Sequence, residues 1–158
     1  MSQEENSKNS DIMEFLSFSV SGQEYAVAIS AIREIRAWTA PSSLPDSPKA
    51  ILGVINLRGV LLPLLNLASR LGLSEETINE RNVIIVAEVN DAPIGLVVDA
   101  VSDIVMLTDE DLQTPPETAT SGDNAFVSNL AMIEETVVRI LDLTKVFPKA
   151  EPVLEEAS

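Results

Sequence analysis

The sequence has no cysteine and no histidine among its 158 residues. The first absence excludes disulfide bonds and thiolate metal sites. The second removes the commonest general base and the commonest metal ligand at neutral pH. Basic residues are scarce, 10 against 25 acids, and the resulting net charge of −15 repels nucleic acid and anionic lipid. An excess of this sign reads as a solubility charge. Aromatic residues make up only 4%, so a core must be packed from Val, Ile, Leu and Ala, a composition that favours strands. No apolar run reaches the length of a membrane span. The opening residues, MSQEENSKNSD, lack the features of a signal peptide. A cytoplasmic protein with no nucleic-acid partner and no direct membrane insertion is expected.

What remains is rich in strand signals. Apolar residues reach 46%, enough for the core of one domain or of two very small units sharing a core. FLSFSV (15–20) and YAVAI (25–29) flank a short polar turn containing Gly22. AIREIRAW (31–38) starts as a helical turn and continues as strand, before a loop with three prolines at 40–48. LGVINL (52–57) and VLLPLL (60–65) flank Arg58 and Gly59 as a second tight hairpin. Pro63 cannot donate to a ladder, so the strand is an edge there or is bulged. NLASRLGL (66–73) reads as a short helix capped by Asn66 and stopped at Gly72. The same grammar returns in NVIIVAEV (82–89), PIGLVV (93–98), DAVSDIVML (99–107), FVSNLAMI (126–133), TVVRIL (136–141) and a helical turn in DLTKVF (142–147).

The return is a duplication. Shifting by 69 positions lays Val20, Tyr25, Val27, Ile29, Ile32, Glu34 and Ile35 on Val89, Ile94, Leu96, Val98, Val101, Asp103 and Ile104. Shifting by 76 lays Val60–Leu62 and Leu64–Leu67 on Thr136–Val138 and Ile140–Leu143. The offset grows by 7, which places an insertion in the long polar loop at 108–125. Two copies of one small β unit, packed through a shared apolar seam, are expected.

Catalytic patterns are missing. There is no Gly-rich phosphate loop, no GxSxG and no HExxH. Asp99 and Asp103, four apart, offer a carboxylate pair for acid/base work or a hard cation, but read more simply as turn-capping, solvated charges. TDEDL (108–112) lacks the spacing and glycine of a calcium loop. Trp38, the only tryptophan, reads as a plug or lid over a barrel. Arg58 supports two readings: a solvated turn charge of almost no energetic value, or a partner contact whose planar fork grips a carboxylate.

GVINLRGVLLPLLNL, together with YAVAISAIREI, IGLVVDAVSDIVML and the following PPE, resembles the CheW family of chemotaxis coupling proteins over residues 15–147. The resemblance implies an all-β fold of two SH3-like five-stranded barrels, packed around a shared hydrophobic seam with short helices. It places the domain at 14–148, as two intertwined β-barrel subdomains between tails at 1–13 and 149–158. It implies a non-catalytic adaptor, without cofactor or metal, that joins the cytoplasmic tips of chemoreceptors to the regulatory domain of the histidine kinase CheA in membrane receptor arrays. By position, Ile32, Glu34 and Ile35 match the part of the first barrel that meets the receptor. Asn56 and Arg58 match the NLRG turn linked to receptor contact and kinase control. Val83 and Ile104 match positions lining the groove between barrels. The kinase-facing surface is expected at an apolar end of the second barrel, with no residue named. Two alternatives stand beside this reading: a related scaffold serving pili or second-messenger output, and a hydrolase using Asp99 and Asp103.

Overall fold

The computed structural model describes residues 12–45, 50–73, 78–115 and 126–146. The expected tails fall outside these residues except for Ile12, which is exposed, and Met13, which already opens the first strand by pairing with Leu107. Among the described residues ten strands form: β1 (Met13–Val20), β2 (Gln23–Ala28), β3 (Ile32–Ala37), β4 (Ile51–Leu57), β5 (Val60–Asn66), β6 (Val83–Val89), β7 (Ala92–Val98), β8 (Ala100–Leu107), β9 (Val127–Ile133) and β10 (Thr136–Leu141). Two one-turn helices follow the duplicated hairpins, α1 (Leu67–Arg70) and α2 (Leu143–Val146). Asn66 caps α1 by accepting from Ser69 N, and Gly72 follows with φ +76°. A 3-10 turn at Ile29–Ala31 leads into β3, as the sequence suggests.

Four hairpins close through two-residue turns whose central residues all have positive φ: Ser21–Gly22, Arg58–Gly59, Asn90–Asp91 and Glu134–Glu135. That is the signature of the turn whose twist matches paired strands. The shifts of 69 and 76 map the first pair of turns onto the second pair.

The strands form two five-stranded sheets, in the orders β8-β1-β2-β10-β9 and β3-β6-β7-β5-β4. Replacing each strand by its counterpart five places away in the chain converts one order into the other, so the duplication is a structural two-fold. The repeated unit is nevertheless not the sheet. Hairpin β1–β2 leaves its own half and completes the sheet of β8, β9 and β10, while β6–β7 completes that of β3, β4 and β5. The cause is local. β8 and β10 occupy both outer edges of the β1–β2 hairpin, and a three-residue turn then sends the chain across to the other sheet. Two pairings, β2 with β10 and β5 with β7, are parallel; the others are antiparallel. Pro63 meets the expectation set for it: β5 lies inside its sheet, but its ladder with β7 begins only at Leu64.

Burial divides into three clusters. Ile55, Leu62, Leu64, Ile84, Val86 and Val97 fill the interior of the second sheet, with Trp38 packed against them. Phe15, Ala26, Leu107, Ala131, Val138 and Ile140 fill that of the first. The largest cluster joins both sheets: Phe18, Tyr25 and Val27 meet Leu65, Ile85, Ala87 and Leu96. Strand β6 shows why central strands read as apolar runs. Its Ile84 and Val86 enter the inner cluster while Ile85, Ala87 and Val89 enter the shared one, so both faces are covered. The edge strand β3, covered less, alternates instead.

Candidate functional site

Position β3 carries an extra residue. Ile32 pairs with Ala87, but the next pair is Glu34 with Val86, leaving Arg33 as a bulge. Opposed residues of an antiparallel pair project to the same face. Ile32, Ile35 and Ala37 therefore lie on the seam-ward face with Ala87, Ile85 and Val83, while Glu34 and Arg36 share the opposite face with Val86 and Ile84. The bulge is what allows Ile32 and Ile35, three apart, to share one face. Its counterpart is Ser102 on β8, where Phe18 pairs with Val101 and Ser17 with Asp103. Ile104 pairs with Leu16, so it occupies on β8 the place that Ile35 occupies on β3. Both isoleucines are about half exposed, at 48% and 53%.

The seven residues singled out from the sequence thus separate into groups. Ile32 and Val83 are partly buried against the shared cluster. Ile35 lies beside them on β3, and Ile104 lies on the other sheet. Glu34 and Arg58 come together on the other face of β3, while Asn56 is held within the β4–β5 turn. Arg58 Nη2 donates to Glu34 Oε1 at 2.9 Å, and Arg36 Nη1 donates to Glu34 Oε2 at 3.0 Å. These two guanidinium groups hold the Glu34 carboxyl below its ordinary value, Arg58 contributing most. A carboxylate depressed in this way stays ionised at neutral pH, and its pairing is lost only as the pH falls through that lowered value. Arg33 pairs with Glu88 across the bulge. Spacing gave no hint of Arg36 or of Glu88 as members. The only trace of them in the chain is that IREIR packs three charges into one edge strand.

Each letter of the NLRG turn has a local reason. Asn56 Oδ1 accepts the N–H of Gly59 at 2.8 Å, supporting the turn from the strand side. Leu57 packs against the inner cluster. Gly59 takes φ +86° with nothing within 4 Å of where a Cβ would stand, so conformation alone selects glycine. Arg58 has φ +53°, a conformation costing a side-chain-bearing residue on the order of 1 kcal/mol. Its side chain is 70% exposed. Arg58 is neither a free turn charge nor buried; it is displayed, and steadied by an exposed pair that contributes little stability. Replacing Asn56 by Ala should therefore cost about 0.5–1 kcal/mol, read as a small fall in melting temperature. An unchanged melt would show that water replaces the amide fully.

The carboxylate pair considered for catalysis is not on a helix. Asp99 accepts the N–H of Ser21 at 2.8 Å, and Asp103, on β8, accepts the N–H of Ile104 at 2.8 Å. Asp99, between β7 and β8, has the turn-capping role expected of it, whereas Asp103 lies within β8 beside the bulge and serves the next backbone N–H of its own strand. Among the described residues no group of three or more Asp, Glu, His or Cys is placed to hold a metal, and no helix is long and apolar enough to cross a membrane.

The sequence matches the CheW-like domain over residues 14–151. It is 42% identical over 138 residues to the chemotaxis protein CheW of Rhizobium meliloti, covering 87% of this chain and 89% of that protein. It is 30% identical over 132 residues to the chemotaxis protein CheW of Bacillus subtilis, covering 84% and 85%. The crystal structure of the scaffolding protein TtCheW from Thermoanaerobacter tengcongensis superimposes with a TM-score of 0.80 at 28% identity, covering 87% of this chain and 93% of that one.

Proposed function

The chain belongs to the CheW family of chemotaxis scaffold proteins, and from that premise we propose that it couples chemoreceptor tips to the regulatory domain of the kinase CheA without chemistry of its own. The observation that supports this reading best is the arrangement about β3. An edge strand presents apolar side chains, Ile32 and Ile35, on one face and an ordered ionic group, Glu34 with Arg36 and Arg58, on the other. An apolar strip with a polar rim is how a protein-binding surface is built. Val83, opposite Ala37 on the face that carries Ile32 and Ile35, and Ile104, on β8 of the first sheet, are assigned to the apolar part of the receptor-binding surface, and Asn56 supports the turn that carries Arg58.

The mechanism is energetic. A rigid body bound at two faces couples two equilibria when it binds the states of each partner unequally. The shared cluster gives that rigidity, because the two sheets have one core between them. Localisation follows from the partners: a protein with no long apolar helix among its described residues reaches the receptor array by binding.

The test is reconstitution with receptor cytoplasmic fragments and the kinase. Wild type should bind both and place kinase activity under receptor control. Glu34→Lys should weaken receptor binding roughly tenfold, with a cooperative melt lowered only slightly, because it sets three positive side chains against one another at a largely solvated rim. If kinase control is the same with and without the wild-type protein, the coupling role is wrong. Equal receptor affinity of wild type and Glu34→Lys would remove Glu34 from the surface.

A further inference from the structure

Outside the insertion, the internal duplication gives a residue of one half a counterpart in the other, so a feature present in one half alone is not demanded by the fold. Arg33, Glu34, Arg36 and Arg58 correspond to Ser102, Asp103, Val105 and Glu134. Both sets build the same elements, a bulged edge strand and a hairpin whose two turn residues have positive φ. The second half builds them with no arginine at these positions. Three of the ten basic residues of a chain of net charge −15 are thus gathered at one edge for a reason outside folding.

The cluster is not self-neutralised. Glu34 and Glu88 balance two of the three guanidinium groups and leave one positive charge in excess. Arg58 gives a single hydrogen bond to Glu34 from a group with five donors, and its side chain is largely exposed. Arg36 Nε is buried without an acceptor. Arg33, Arg58 and Glu34 line a hollow of about 260 Å³ whose other lining residues, Leu57, Val60, Leu62, Val86 and Pro93, are apolar. Glu34 in the lining already pairs with Arg58 and Arg36, so what the hollow offers is the remaining positive charge of its two arginines beside apolar side chains, which suits a pair of side chains, one acidic and one apolar. One excess charge matches one carboxylate; a polyanion would meet the repulsion of the whole chain.

We propose that this hollow receives an acidic residue of the chemoreceptor tip, its carboxylate lying across Arg58 and Arg33 and its apolar neighbour resting on Leu57 and Val60. This rests on the receptor-binding role proposed above and adds the chemistry that the receptor must bring. The planar fork of Arg58 can take a carboxylate through two parallel hydrogen bonds, a geometry that an ammonium group does not reproduce.

The experiment measures the affinity of a receptor cytoplasmic fragment for wild type, Arg58→Ala, Arg58→Lys, Arg58→Glu and Glu134→Lys, at low and at high salt. Arg58→Ala should bind about tenfold more weakly at low salt, and the gap should narrow at high salt as the charges are screened. Arg58→Lys should recover only part of the loss. Arg58→Glu should be weaker still, and changing one acidic residue of the fragment to Lys should restore it to within about threefold of wild type. Glu134→Lys, at the equivalent turn, should bind as wild type does. Equal affinity of wild type and Arg58→Ala overturns the carboxylate pocket, as does failure of every acid-to-lysine fragment to rescue Arg58→Glu. A wild-type protein that does not bind the fragment overturns the receptor role itself, so the two failures are distinct.

Discussion

Phe18→Ala should lower stability by about 3–5 kcal/mol, the range for removing a buried aromatic ring, and should unfold both sheets together. Phe18 belongs to the sheet of β1, is fully buried, and stacks on Tyr25 with ring centroids 6.3 Å apart. Its cluster also contains Leu65, Ile85, Ala87 and Leu96 of the other sheet. The cavity left by the ring therefore borders both. Trp38, the only tryptophan, packs against the interior of the second sheet, not against Phe18. Its fluorescence reports on the sheet that does not carry the mutation. Melting followed by Trp38 fluorescence and by circular dichroism should shift downward by the same amount, on the order of 10 °C for a domain of this size. A lowered dichroism midpoint with an unmoved fluorescence midpoint would show that the sheets unfold separately and that the seam does not couple them. Should Phe18→Ala fail to fold, Phe18→Leu applies the same test with a smaller loss.

Gly53→Ala should be more damaging than the same change at Gly22, Gly59 or Gly95, at roughly 3 kcal/mol, the sum of a conformational and a steric cost. Gly53 has φ +148°, and a Cβ there would stand 2.2 Å from the carbonyl oxygen of Ser42 and 2.7 Å from its carbon. That contact is backbone against backbone. Ser42 and Val54 exchange two hydrogen bonds of 2.9 Å that tie the segment after β3 onto β4. A side chain at Gly53 forces the two apart or breaks the bonds. Gly59→Ala is the internal comparison. Its φ is also positive, but nothing lies within 4 Å of its Cβ position, so it carries the conformational cost alone, about 1 kcal/mol. Urea denaturation of the two variants should separate them by more than about 1 kcal/mol at equal m-value. Equal losses would mean that the Ser42 segment moves aside freely and holds nothing in place.

Much of the molecule was legible from local pattern. Positive-φ turns announce themselves through Gly22, Gly59 and Asn90–Asp91, although Glu134–Glu135 shows that strand pairing can impose the same turn on residues that do not favour it. The NLRG stretch could be placed at a hairpin tip because a glycine follows a charged residue between two apolar runs. What could not be read was the company Arg58 keeps. Glu34 lies 24 residues away, and only the folding of β3 beside the β4–β5 hairpin brings it within 2.9 Å. Arg36 was passed over for the same reason. The division of Ile32 and Ile35 from Glu34 across two faces also required the bulge at Arg33, which strict alternation does not foresee.

By itself the sequence determined the elements, the duplication and the family. Apolar spacing and turn residues act over a few positions, and the offsets of 69 and 76 are visible without coordinates. Only the tertiary structure decided which strand pairs with which. Each half contains five strands that could have closed on one another, yet β1–β2 and β6–β7 exchange halves and form the parallel pairs β2–β10 and β5–β7. Strand formation depends on a residue's neighbours in the chain, whereas pairing depends on which edge lies free once the short connections are made and on which exchange buries the most apolar surface. In this chain that exchange places Phe18, Ile85 and Leu65 in one cluster. It makes two small sheets a single rigid body and sets the three arginines along its β3 edge.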